Sequence, residues 1–378
     1  LRRPLGWLFL TLEQTDLLAA ADGIFLFGDN KIGIFPTAFF DFGFAPSFGI
    51  YFFWTDFLFE GNRISMNGGT FGPRWLNGAI KDQITFNENT HLTARLKGFR
   101  RPDQIFGDIG GDARLITSRY GTSQIDTSLI FDSHFWRRSR VEAEFGYRSA
   151  SFEDGRALGD PSISEEMISR GQPLPDGFVS GYSAFRLGLD LRLDTREVTV
   201  RPNAGVSLRL LGEAHVAAVA EDGLDGWLRW GGLLRASTDI LGDDRILSLG
   251  AALAFITPVG EGIVPFTELI DIGALGSING FLPGLVRGRS LAAMVASYEW
   301  PIWVFLNGRM HFGVGNVFDE HLAGFDAEDL RMSFGVGFEP TIDGESNFEL
   351  AVAFGTDTFR NGPGVQSFRF VIGVNNDL

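Results

Sequence analysis

The sequence offers few residues for covalent chemistry. Its five histidines, His91, His134, His215, His311 and His321, are scattered, without the short spacings of a metal site. None of the 378 residues is cysteine, which excludes disulfides, thiolate metal sites and a thiol nucleophile. No Gly-x-Ser-x-Gly elbow and no phosphate loop leading from a strand into a helix is present. Glu153, Asp154, Asp160, Glu165, Glu166 and Asp176 form an acidic stretch that could hold Ca2+, directly or through lipid phosphates. The stretch lacks EF-hand spacing, so a solvated loop is expected. Asp243-Asp244 reads as a turn, where Asp bonds its own backbone, rather than as a catalytic dyad. No catalytic residue, no metal site and no cofactor is expected.

The composition narrows the class further. There are 37 Phe, 49 Gly and 8 Trp, and a formal charge of −15. The acidity argues against nucleic acid as a partner. So many aromatics argue against disorder. No window of about 20 residues is uniformly apolar, so no transmembrane helix is legible; a transmembrane β-barrel carries a much weaker signal per segment. The chain begins at Leu1 rather than Met, which leaves a leader or an upstream domain open.

The strongest pattern is strict alternation. Phe185, Leu187, Leu189, Leu191 and Leu193 alternate with Arg186, Gly188, Asp190, Arg192 and Asp194. Met332, Phe334, Val336 and Phe338 alternate with Arg331, Ser333, Gly335, Gly337 and Glu339. Period two means strands with one apolar and one polar face. Sixteen such segments are expected near 37–44, 47–58, 62–71, 75–86, 90–101, 113–133, 138–152, 182–193, 202–217, 226–240, 244–257, 290–300, 307–316, 330–339, 346–355 and 365–375. Alternate connections are short, and the others include long ones at 102–112, 153–181 and 258–289. An even strand count with tight turns at one end and long loops at the other is the layout of a bacterial outer-membrane barrel.

The fold expected is therefore all-β: a sixteen-stranded antiparallel transmembrane β-barrel over 31–378, with 258–289 as a lumen or lid loop. Phe, Leu, Val and Trp would face lipid, and Arg, Asp, Glu, Ser and Gly the lumen. Trp54, Trp75, Trp136, Trp227, Trp230, Trp300 and Trp303 fall near strand ends, as an interfacial girdle would. Residues 1–30, with Leu5, Leu8, Phe9, Leu12, Leu17 and Leu18, read as a short amphipathic helical segment. Long loops would lie outside the cell, and the short turns and both chain ends in the periplasm.

From 272 onward the sequence resembles the bacterial surface-antigen superfamily of barrels, the BamA/TamA type. The residues that carry this are Ile272-Gly273-Ala274-Leu275-Gly276-Ser277-Ile278-Asn279-Gly280-Phe281, Gly288-Arg289-Ser290, Ser297-Tyr298-Glu299-Trp300-Pro301-Ile302 and Gly315-Asn316-Val317-Phe318. Phe106-Gly107-Asp108-Ile109-Gly110 looks like a further family element. The resemblance implies an outer-membrane barrel whose long loop is pinned inside by a loop Arg against a wall acid. It also implies a weak seam between the first and last strands, here around Phe39, Asp41, Phe368 and Phe370.

This sequence departs from that pattern. The loop Arg corresponds to Asn279, beside the retained Gly280-Phe281, and the wall acid to Gly313. An unpaired buried charge would be costly, so a viable sequence loses both partners together. Arg287 or Arg289 could take over, against Glu299, Glu339 or Glu349; the alternative is that both arginines are solvated. The last strand ends on Asn375-Asn376-Asp377 rather than on an aromatic residue. About 30 residues precede the first expected strand, too few for a periplasmic repeat (POTRA) domain of the kind the family's assembly members carry.

The expected function is non-enzymatic: outer-membrane protein insertion or translocation. The alternatives are a structural subunit anchoring an envelope or secretion complex, and a passive pore. The partners expected are outer-membrane lipids or lipopolysaccharide, and periplasmic or envelope proteins on separate chains.

Overall fold

A computed structural model describes residues 25–197, 204–218, 225–260, 262–276, 278–303, 306–340 and 347–375, with side chains omitted at 339–340, 347–349 and 373–375. Within them the chain forms sixteen long strands: β1 Ile32–Asp41, β2 Ser47–Thr55, β3 Asn62–Thr70, β4 Leu76–Asn87, β5 Thr90–Phe106, β6 Ser118–Trp136, β7 Ser139–Asp154, β8 Tyr182–Asp194, β9 Gly205–Ala217, β10 Gly226–Asp239, β11 Ile246–Pro258, β12 Ser290–Trp303, β13 Leu306–Phe318, β14 Arg331–Pro340, β15 Asn347–Thr356 and β16 Val365–Asn375. Each pairs antiparallel with its chain neighbours, and β1 also meets β16, so the sheet closes. Closure leaves no free sheet edge apart from what the seam exposes.

The alternation in the sequence maps onto two faces. On β8, Leu187 is 62% exposed on the outside while its neighbour Arg186 is 8% exposed inside. No helix among the described residues is long and apolar enough to cross a membrane. Connections at one end are short, as at 88–89 and 137–138. At the other end lie 155–181 and 259–289. The first of these carries the helix α1, Ile163–Arg170. Ser162 caps α1, accepting from the Glu165 N–H, and Glu165 accepts from the Ser162 N–H in return.

Several expectations shift. The first strand begins at Ile32, not 37, so Pro36 lies inside it. Residues 1–24 of the expected helical segment lie outside the described residues; Leu26–Phe27 is a short strand arm paired with Ile32 and Gly33. Strand phase overrides the girdle reading for two tryptophans. Trp227 is fully buried and stacks on His215, and Trp75 is buried beside Arg101. Trp230 stacks on Phe255 on the outward face.

The loop at 259–289 folds back into the long-loop half of the barrel. Its segment Val286–Gly288 pairs with Ile270–Asp271 and, in parallel, with Asp108–Ile109. Ile270, Ile272, Ile278, Phe281 and Val286 join wall residues Ile105, Ile256, Leu291 and Val317 in one buried core. The lumen is thus apolar where the loop fills it, and polar below.

Candidate functional site: the inward loop and the seam

The loop is seated by small residues. Gly313, Ser333 and Gly355 are successive partners across β13, β14 and β15 on the inward phase. Ser333 Oγ accepts from the Gly280 N–H at 2.8 Å. A Cβ on Gly280 would stand 2.0 Å from the Phe354 carbonyl oxygen, so the backbones touch there and only glycine fits. A Cβ on Gly355 would fall 2.7 Å from the Phe281 ring, which is 2% exposed. Gly280-Phe281 therefore presses onto a smooth row, with Gly313 where the resemblance places an acid. Asn279 lies half-buried beside them.

The two arginines considered for pinning lie elsewhere. Arg287 is buried, and its Nη2 reaches the Tyr120 hydroxyl at 3.4 Å while its guanidinium lies over Phe266. Arg289 reaches Glu320 at 3.5 Å, at the rim. Glu299 faces Arg309 at 3.9 Å, its register partner on β13. Glu339 pairs with Asn307 and Glu349 with Gly373 along the backbone; both side chains lie outside those described.

The loop's charged contact with the wall involves a residue the sequence reading passed over. Glu268 is 2% exposed. It accepts from Arg148 Nη1 of β7 at 2.9 Å and from the Tyr182 hydroxyl of β8. Arg229 of β10 lies 3.7 Å from its second oxygen and donates to its backbone carbonyl. The pairs continue along the wall. Arg148 holds Asp126 at 2.8 Å, Arg186 binds Asp126 and Glu144, and Arg95 holds Glu144 at 2.9 Å. Glu213 lies between Arg229 and His215.

At the seam, β1 and β16 share three register pairs: Phe39 with Gly373, Phe40 with Ile372 and Asp41 with Val371. Among the described residues the shortest other junction between neighbouring long strands has six. One more backbone bond, from the Phe42 N–H to the Phe370 carbonyl, extends it. Outside, the rings of Phe40 and Phe370 and of Phe42 and Phe368 meet at 6.1 and 5.4 Å. Inside, Arg369 donates to both oxygens of Asp41. From Ile34 to Ala38, β1 has no ladder partner on this side among the described residues; the arm Leu26–Phe27 takes Gly33 and Ile32. Phe39, Asp41 and Arg369 line a cavity of about 380 Å3 with Trp75, Lys97 and Arg101, beneath Pro283 of the loop.

The acids of 153–181 are occupied locally. Asp160 pairs with Arg119, Glu166 with Arg170 and Glu165 with Arg156. Among the described residues no group of three His, Asp or Glu is placed to hold a metal ion.

No curated protein matches the chain by sequence. Solved structures do match its fold. The chain is similar to BamA from Haemophilus ducreyi lacking POTRA domains 1-3, at 14% identity and a TM-score of 0.63, over 91% of this chain and 70% of that one. It is similar to CdiB from Acinetobacter baumannii at 12% identity and a TM-score of 0.53, over 91% of this chain and 59% of that one. For CdiB from Escherichia coli the values are 11%, 0.54, 90% and 62%. The chain thus spans about three fifths of the length of the CdiB chains it matches. The family model for the Omp85 superfamily domain matches residues 62–375, from β3 to the last residue of β16. With that match over most of its length, the chain belongs to the Omp85 superfamily of outer-membrane β-barrels.

Proposed function

We propose that this barrel acts without covalent chemistry, in inserting polypeptides into the outer membrane or passing them across it, and that the β1–β16 seam is the part that opens. The observation that carries this reading is the seam's short ladder, among the described residues three register pairs against at least six at every other junction. Each backbone hydrogen bond contributes only about 1 kcal/mol net, so a junction short of them parts first. Among the described residues the stretch Ile34–Ala38 has no ladder partner on the β16 side, the kind of edge that accepts an incoming strand. Lipids or lipopolysaccharide would contact the outward face, and envelope proteins on separate chains the short-turn end.

A second reading, a structural subunit, is favoured by the loop that fills the long-loop half of the lumen. Reconstitution of the full chain in liposomes separates the two. Faster folding or transfer of an outer-membrane client polypeptide supports the first reading. No acceleration, together with a partner that co-purifies in mild detergent, supports the second. Ion conductance alone marks a pore and overturns both.

A further inference from the structure

We propose that Glu268 is the anchor that holds the inward loop in the lumen, through a loop-acid-to-wall-arginine bond of opposite polarity to the loop-arginine-to-wall-acid pair that the resemblance implies. The inference stands on the charge count of one wall. In the connected chain of ion pairs the wall supplies Arg95, Arg148, Arg186 and Arg229 against Asp126, Glu144 and Glu213. Among these residues that is four arginines against three carboxylates, with His215 beside Glu213. Glu268 is the fourth anion, and it comes from the loop. With the loop seated, Glu268 brings a fourth carboxylate to the four arginines. With the loop withdrawn, Arg148 and Arg229 each lose a partner in a confined space, which is the costly way to break a buried pair.

The other fixed point of the loop carries no charge. Gly280-Phe281 is held by one neutral hydrogen bond to Ser333 and by packing of the Phe281 ring on Gly355. Glu268 lies on the opposite side of the lumen, against β7, β8 and β10. The loop is therefore pinned electrostatically on the β7–β10 wall and only rests on β13–β15. The uncharged Asn279 and Gly313 are compatible with a seated loop because the anchor has a different wall. Tyr182 and Arg229 act as positioning residues: one donates to the carboxylate, and the other grips the carboxylate and its own backbone carbonyl.

The test uses the absence of native cysteine. Leu285, buried within the loop core, is changed to Cys as a reporter in the full chain, reconstituted in liposomes. Its labelling by a maleimide-polyethylene glycol reads how often the loop leaves. Heat-modifiable migration on a gel checks that the barrel has folded. Glu268→Gln, which keeps size and removes charge, is expected to speed labelling by about tenfold or more, the effect of losing one charge-assisted hydrogen bond. Arg148→Gln should do the same, and the double variant should label no faster than the faster single one. A residue that only fills space would give additive effects instead. Asn279→Ala should stay within about twofold of the parent. If Glu268→Gln does not fold, Arg229→Gln is read by the same criterion. Folded variants that label at the parent rate, additive effects, or an Asn279→Ala effect as large as that of Glu268→Gln would overturn the proposal. None of these readouts depends on what the barrel moves.

Discussion

Arg369 on β16 donates to both carboxylate oxygens of Asp41 on β1, at 2.9 and 3.3 Å, inside the junction of first and last strands. This ion pair joins residues 328 apart in sequence across a junction with three register pairs among the described residues. It faces the lumen, while the Phe40–Phe370 and Phe42–Phe368 ring pairs cover the same stretch from outside. The seam is therefore closed more by side chains than by backbone, an arrangement that can open without dismantling a long ladder.

Removing the clasp should loosen the seam but leave the barrel folded. Asp41→Asn or Arg369→Gln is expected to cost on the order of 1 kcal/mol, because the pair is partly open to solvent and each group keeps some hydration. The measurement is the thermal midpoint of heat-modifiable migration, with ion leak through liposomes as a second reading. The parent should approach the variants as salt is raised, since screening weakens the same interaction.

Gly280→Ala should unseat the loop tip. The added carbon would lie 2.0 Å from the Phe354 carbonyl oxygen, which is backbone and cannot swing aside. Overpacking of this kind costs about 1–3 kcal/mol. Protease cleavage within 259–289 should accelerate, and a loop as resistant as the parent's would show that the seat does not matter.

A third prediction concerns the long-loop end. Arg360 binds Asp326 at 2.6 Å, Asp329 at 2.7 Å and Glu328 at 3.2 Å, tying the β15–β16 connection to the β13–β14 connection. The hydrogen bond from Arg360 to Asp329 is the largest influence raising the guanidinium's pKa. The Glu328 N–H first, and then Arg360, lower that of Asp326. An acid depressed in the folded state adds stability above its unfolded value, near 4, and loses it as pH falls through the folded value. Arg360→Ala should therefore speed proteolysis of these two loops at pH 7. Parent and variant should converge as pH falls through the depressed folded value of Asp326.

The barrel was legible because strands keep phase. The runs at 185–194 and 331–338 place each side chain inside or outside correctly, and the loop lengths sort into two ends. Pro36 misled because proline usually marks a strand boundary; here it lies inside β1, where no ladder partner toward β16 is found among the described residues, and such an edge tolerates a missing N–H. Trp75 and Trp227 misled because nearness to a strand end does not fix which face a residue takes. Gly313 and the Gly280-Phe281 pair were readable through parity and resemblance. Glu268 was not, since a loop has no period to betray its direction. Its one signal is local: Glu268 and Asp271 interrupt the apolar residues Val264, Phe266, Leu269, Ile270 and Ile272, a place where only buried or paired carboxylates are tolerated.

The central claim, that the seam works by opening, is tested most directly by locking it. Phe40 and Ile372 are register partners on the outward face, and the native chain has no cysteine to interfere. The double variant Phe40→Cys/Ile372→Cys, oxidised in the reconstituted full chain, should lose its acceleration of client folding or transfer, and regain it on reduction. A disulfide-locked barrel as active as the reduced one would contradict the account.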